Sequence, residues 1–327
     1  MSKRGLLSAL GVTATLVLTA FAAVDAAGSA TGADPRSSLT LMAPAAPGGG
    51  WDLALREAQQ VMRAESIVNN VQVVNVPGAG GTIGLARFAD IGPDPTQLMI
   101  TGTVMEGAIT VNGSATTLRD TTPIARLAED YLVFVVPADS PFRTLEDFLT
   151  TWRADPHAQA IGGGGLGGAD HLLTGLTARG AGIDPGRINY IAYSGGGEAL
   201  TALLSGTVAV GVSGFHDFSD QIAAGNLRAL AFSAPEPVAG IEVPTLVEQG
   251  VPVTLANWRG LVAPPGIAPE DRARLTELVT ELAASPGWAD TLARNKWSDA
   301  FLAGPEFDRF IVQDQADIDR IVAELGL

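Results

Sequence analysis

The sequence predicts an α/β protein of two compact lobes, each a mostly parallel sheet flanked by helices, on three observations. Strand-like and helix-like stretches alternate along the chain, the rhythm of parallel sheets covered on both faces. At 327 residues the chain exceeds one typical domain, and 46% hydrophobic against 17% charged residues supports large cores rather than disorder. Four glycine-rich corners, at 46–52, 77–82, 162–168 and 194–197, each follow a strand pattern and open a helical one. That is where ligands sit in open α/β sheets.

The N-terminus reads as an export signal. Lys3 and Arg4 are basic, Leu6 to Val24 is almost wholly apolar, and Val24-Asp25-Ala26 fits a small-x-small site with cleavage after Ala26. An uncleaved anchor is the alternative, because the run approaches spanning length; Gly11, several threonines and the lack of a following basic stop weaken it. Lys3-Arg4 is not a twin arginine. Residues 27–37 form a small-residue linker.

Leu39–Met42 is then a strand, Asp52–Glu65 a helix, Val71–Val76 a strand, Thr82–Asp90 a helix and Gln97–Thr101 a buried strand. Tyr131–Val136 is a strongly apolar strand ended by Pro137. A second lobe begins near Ser140-Pro141. Thr144–Arg153 is helical with Thr144 as its cap, Ala158–Ile161 a short strand, and a helix starts at Asp170. Asn189–Ala192, Val208–Val212 and Leu227–Ser233 are strands with helices between them, and the proline-rich 235–252 marks the far edge. Arg259–Ala263 returns the chain to the first lobe, and Pro269–Ala284 and Pro305–Gly326 are closing amphipathic helices. The lobes are therefore 38–137 plus 257–327, and 138–256. Two crossings, near Val136-Pro137 and Asn257–Arg259, make the hinge.

Composition narrows the function. The net charge is −15 with only two lysines, Lys3 and Lys296, and no basic cluster, which excludes nucleic acid and an anionic membrane surface as partners. The charge reads as solubility, and backbone dipoles can still hold an anion locally. The absence of cysteine excludes disulfides, thiol catalysis, thiolate metal sites and a lipid-modified N-terminal cysteine. The mature chain is expected free in the periplasm, as a monomer, without cofactor or metal.

The corners carry the functional signal. Glycines at a strand-to-helix turn bring backbone N–H groups close to a ligand, and the helix start adds unpaired donors and a positive dipole end. Such a corner seats a carboxylate or phosphate. Gly163-x-Gly165-x-x-Gly168 formally matches a dinucleotide fingerprint, but its strand is short and Asp184 lies too near for the ribose acid; no P-loop GK[ST] occurs. The three histidines, His157, His171 and His216, form no metal pair at helical spacing, and neither Ser194 nor Ser213 forms a nucleophile elbow. Asp170-His171 and His216-Asp217 read as helix-start polar residues before they read as a metal site. Asp52 reads as the residue that organises its loop rather than as a general base. Glycines also serve turns and caps, so one corner alone decides nothing.

Pro47-Gly48-Gly49-Gly50-Trp51-Asp52, Val76-Pro77-Gly78-Ala79-Gly80-Gly81-Thr82, Gly162–His171, Tyr193-Ser194-Gly195-Gly196-Gly197-Glu198, Gly211-Val212-Ser213-Gly214 and Asn257-Trp258-Arg259-Gly260 occur in that order. With them the chain resembles the TctC, or Bug, family of solute receptors serving tripartite tricarboxylate transporters. The resemblance implies a two-lobed, type II-like periplasmic-binding fold, the Venus flytrap. It also implies capture of a small organic carboxylate for delivery to membrane permease subunits, from citrate and related di- and tricarboxylates to some amino acids and aromatic acids, with citrate-like di- or tricarboxylates favoured. A sensory adaptor presenting ligand to a kinase, or an exported enzyme acting on a small acid, are the alternatives.

In that reading Gly48, Gly49, Gly50 and Trp51, with Gly78, Ala79, Gly80, Gly81 and Thr82, hold one carboxylate by backbone N–H groups. Gly165, Gly168, Ser194, Gly195 and Ser213 close over the far end, and Gly102-Thr103 adds a hydroxyl. Arg259 either pairs with a second carboxylate or braces the hinge, and Trp258 either covers the cleft or packs between lobes.

Overall fold

The structure is a computed structural model and describes residues 34–327. The export signal and residues 27–33 of the linker lie outside the described residues. The chain opens with β1 (Ser38–Ala43), α1 (Gly50–Ala64), β2 (Asn70–Asn75), α2 (Thr82–Ala89), β3 (Gln97–Gly102), α3 (Thr103–Val111) and the long β4 (Thr122–Pro137). It continues through α4 (Leu145–Ala154), β5 (Ala160–Gly163), α5 (Ala169–Gly180), β6 (Asn189–Ala192), α6 (Gly196–Leu204), β7 (Val210–Gly214), α7 (Phe215–Ala223) and β8 (Leu227–Phe232). It closes with β9 (Ala256–Ala263), α8 (Pro269–Ala283), α9 (Pro286–Asn295), β10 (Ser298–Ala303) and α10 (Pro305–Leu325).

The strands run β2-β1-β3-β9-β4-β7-β5-β6, with β10 and β8 also paired to β4. β1 is parallel to β2 and β3, and β5 is parallel to β6 and β7, as alternating strand and helix require. The strands that join the halves run antiparallel to their neighbours, so the sheet as a whole is mixed and curled. β4 pairs with β9 up to Tyr131, then with β7 and β8 from Leu132 onward. The change of partners thus falls at Tyr131–Leu132, earlier than the crossing expected near Val136-Pro137. The apolar run Leu132–Val136 belongs to the second half, because both of its faces are buried there.

Each half has its own core. Leu39, Leu41, Leu55, Met62, Leu98, Trp258, Leu261 and Phe307 are buried in the first. In the second, the faces of β4 divide, with Phe134 against Trp152 and Leu173, and Val133 and Val135 against Leu203 and Phe218. α1 inserts Ala54, Leu55, Ala58, Val61 and Met62 along one stripe, the spacing that made it readable as a helix. α4 starts with a full capping box, Thr144 and Asp147 each accepting the other's backbone N–H.

Three elements had no counterpart in the sequence reading. α3 begins at Thr103 directly after β3, in a stretch of valine, threonine and isoleucine that favours strand over helix. α9 and β10 sit between the two closing helices, where the apolar pattern is weak. The N-terminal part of β4 also escaped, because in Thr122–Glu129 charged residues interrupt the apolar ones and the buried positions do not alternate strictly.

Candidate functional site

A cleft of about 750 Å³ lies where the two halves face one another. From the first half it is lined by Gly49, Gly50, Trp51 and the stretch Pro77–Gly81; from the second by Gly164, Gly165, Gly168, Asp170, Ser194, Gly195, Gly196, Glu198, Ser213, Gly214 and Asp217. Asn257 and Arg259, on β9, line its floor. A hollow of about 900 Å³ beside α4 is an open surface groove without a helix-start glycine corner.

The first corner is shaped by Asp52. Its buried carboxylate accepts the Gly48 N–H at 2.8 Å, Arg56 Nε at 2.9 Å and Asn75 Nδ2 at 2.9 Å. Burial works against its charge, but the bonds from Arg56, Gly48 and Asn75 outweigh it and hold the acid below its usual range. The loop folds back on the carboxylate, and α1 begins on the cleft wall at Gly50 with no side chain capping its first N–H groups.

The second corner depends on glycine itself. Gly80 has φ +61°, and a Cβ there would stand 2.5 Å from Ala108 Cβ. Asn112 Nδ2 donates to Ala79 O, and Thr82 Oγ1 to the same oxygen, so this turn is pinned from both sides.

The third corner is anchored by the side chains that follow it. Asp170 accepts the Gly164 N–H at 2.7 Å, and His171 Nδ1 accepts the Gly167 N–H at 3.1 Å. Tyr190 donates to Gly164 O at 2.7 Å and stacks on His171 with ring centroids 4.4 Å apart. Burial lowers His171 to about 4, so it stays a neutral acceptor. Asp170 lines the cleft and is largely buried there. Burial pushes its carboxyl up to about 7 against the Gly164 bond, with Asp217 and Asp130 adding repulsion. At the fourth corner Glu198 accepts the Ser194 N–H at 3.0 Å, and Ser213 Oγ donates to Asp217 at 2.8 Å.

Arg259 is the one basic side chain on the cleft wall among the described residues. Its Nη2 donates to Asp130 Oδ2 at 3.1 Å, tying β9 to β4, and its guanidinium lies over the Trp297 ring at 4.7 Å. Its Nη1 is buried without a protein partner. Burial raises Asp130 while the Arg259 charge opposes that rise.

Comparison with known proteins places this arrangement. Residues 54–327 match the family described as the tripartite tricarboxylate transporter family receptor, TctC. The chain belongs to the TctC receptor family. It is 28% identical over 287 residues to the protein BugT of Bordetella pertussis, covering 86% of each. It shares its fold with a TctC solute-binding protein from Polaromonas, at 26% identity and a TM-score of 0.67 over 89% of this chain and all of that one. MatC from Rhodopseudomonas palustris, solved with bound malate, has the same fold at 23% identity and a TM-score of 0.78, over 88% and 99% of the two chains. The TctC receptor is thus a two-lobed α/β solute-binding protein.

Among the residues singled out from sequence, the cleft brings together Gly49, Gly50, Trp51, Gly78, Ala79, Gly80, Gly81, Gly165, Gly168, Ser194, Gly195, Ser213 and Arg259. Gly48, Thr82, Gly102 and Thr103 are not on its wall. The Gly48 N–H is spent on Asp52, and Thr82 bonds its own turn. Thr103 Oγ1 donates to Ala256 O and accepts the Trp258 N–H, which leaves Gly102 pressed on Trp258 O. Trp258 itself is buried, edge-on to Phe307 and Phe310, with its indole donating to Asp314 at 2.6 Å. Sequence reasoning did not place Asp170, Glu198, Asp217 and Asn257 on the cleft. A signal for two of them was present: Glu198 and Asp217 each lie four residues after the loop N–H or hydroxyl they receive, the interval by which Asp52 follows Gly48, whereas Asp170 lies six after Gly164.

Proposed function

We propose that this TctC receptor captures a small organic carboxylate outside the cytoplasm and hands it to the permease subunits of a tripartite tricarboxylate transporter. The observation that carries the reading is that helix-start glycine corners from both halves face one cleft whose wall, among the described residues, carries no lysine. Main-chain N–H groups then supply the anion site. Hydrogen bonds to a charged acceptor contribute about 1.5–3 kcal/mol each, and three or four suffice for micromolar binding at about −8 kcal/mol once ordering and desolvation are subtracted. In the related fold of MatC the ligand is malate.

The closing halves are proposed as those read from sequence, with the first crossing placed at the change of strand partners at Tyr131–Leu132 and the second near Ala256. Export by the N-terminal signal and action as a monomer complete the proposal. A citrate-like ligand would place a further carboxylate beside Arg259, the one basic side chain on the cleft wall among the described residues. Calorimetric titration of the mature protein against organic acids tests the reading: binding of at least one carboxylate at micromolar affinity is expected. Failure of every carboxylate, with tight binding of a sugar or a metal ion, overturns it.

A further inference from the structure

The cleft wall carries an apolar side chain that the fold itself does not use. Among the described residues lining the cleft, Leu166 is the one large hydrophobic that is mostly exposed, at 53%. It belongs to none of the hydrophobic cores. A leucine alone on an outer surface is ordinary, but one standing open inside a ligand cleft has a surface to cover.

The local backbone does not ask for leucine either. Gly165 to Gly168 form a tight turn, closed by the Gly168 N–H donating to Gly165 O at 3.0 Å, with Gly167 at φ +75° in its third place. Leu166 holds the second place, where most residues are accepted and proline is common. The turn is pinned on both sides, by the Gly164 N–H on Asp170 at 2.7 Å and the Gly167 N–H on His171 at 3.1 Å. Leu166 is thus displayed from a fixed backbone. Its neighbours on the wall are apolar as well. Val104 of α3 lines the cleft, and a Cβ on Gly168 would stand 3.6 Å from its Cγ1. The first half contributes Ala46, Pro77 and Ala79, small groups that leave room beside the glycine corners.

We propose that Leu166 is a specificity-determining residue that covers the hydrocarbon body of the captured acid, so that the receptor ranks ligands by the apolar length behind the carboxylate. This rests on the carboxylate reading above and adds to it the side chain that sorts one acid from another. Main-chain N–H groups at the corners hold a carboxylate whatever follows it, so they give affinity without choice among acids. Discrimination needs a group that meets the rest of the molecule. Each methylene buried against Leu166 strengthens binding roughly four-fold, whereas a polar group in that place loses its water and finds no partner on the leucine.

The test is calorimetric titration of the mature receptor and its Leu166→Ala, Leu166→Asn and Leu166→Ile variants. The probes are succinate, glutarate and adipate, then propionate, butanoate and hexanoate, with citrate as the branched acid. In the parent, affinity should rise with length in at least one unbranched series. Leu166→Ala should weaken the tightest of these acids at least five-fold and the shortest less than two-fold. Leu166→Asn should lose as much or more, and Leu166→Ile should stay within two-fold throughout. Melting temperatures should match the parent's, since the side chain supports no core; if one variant melts early, the other two decide. A loss equal at every length, or no loss in the folded variants, overturns this inference while leaving the carboxylate reading standing. Binding of citrate with none of the six unbranched acids does the same. Failure of all seven acids removes both.

Discussion

At the scale of single residues, the glycines of the corners are not equivalent, although the sequence presents them alike. Gly80 is required by its backbone and its neighbour, since φ is +61° and Ala108 fills the space of any Cβ. Gly80→Ala should therefore lower stability by about 2–4 kcal/mol, measurable as a fall in denaturant midpoint. Gly165 meets nothing within 4 Å at its Cβ position and faces the cleft. Gly165→Val is expected to leave the midpoint within about 0.5 kcal/mol of the parent while weakening ligand binding. Equal effects of the two substitutions on stability would show that the corner at 162–168 is structural as well. What was legible here was the chemistry of the turn. Which glycine faces ligand and which faces Ala108 was not, because that depends on a helix arriving from elsewhere in the chain.

At the scale of elements, α3 is the instructive case. Its Thr103, Val104, Ile109, Thr110 and Val111 favour a strand locally, and helix forms because tertiary packing overrides propensity. The helix carries Glu106 into a buried position against Asp314 of α10. Burial first, and then Asp314, raise Glu106 well above 4.5, so the folded state keeps a proton that the unfolded chain has released. The stability contributed by that proton is complete below about 4.5 and is lost as pH rises toward the folded-state value. Glu106→Gln should remove this loss, so that its melting temperature exceeds the parent's at pH 7–8 and the difference shrinks toward pH 4.5. A constant difference across that range would refute the assignment. The periodic helices α1, α8 and α10 and the apolar strands were readable because one face of each is buried uniformly. α3, α9 and the start of β4 were hidden because their environment, rather than their pattern, decides them.

At the scale of the molecule, two features link the halves beyond the β4 and β9 crossings. α10 buries Phe307 and Ile311 in the first core, then lays Ile318, Val322 and Leu325 against Leu172 of α5, with Arg179 paired to Glu324 beside them. Closer to the cleft, α3 meets the glycine loop at 162–168 main chain to main chain: a Cβ on Gly107 would stand 1.8 Å from Gly167 O. Gly107→Ala would gain helix propensity in an isolated helix, so any loss must come from that contact. The variant should bind ligand at least ten-fold more weakly and give a larger radius of gyration by X-ray scattering in saturating ligand. Unchanged affinity and radius would show that the halves do not need this approach. The two-half architecture was visible in the alternation of strand and helix, whereas these contacts join residues far apart in sequence.

Were the halves to close on ligand as proposed, the meeting of Gly107 with Gly167 would set an end-stop. With no side chain between them to compress or rotate, the jaws would reach a fixed gap and travel no further. Such a receptor measures its cargo like a calliper: a molecule one carbon too short leaves one jaw unfilled, and one too long holds the stop apart and forfeits the contacts at both ends together.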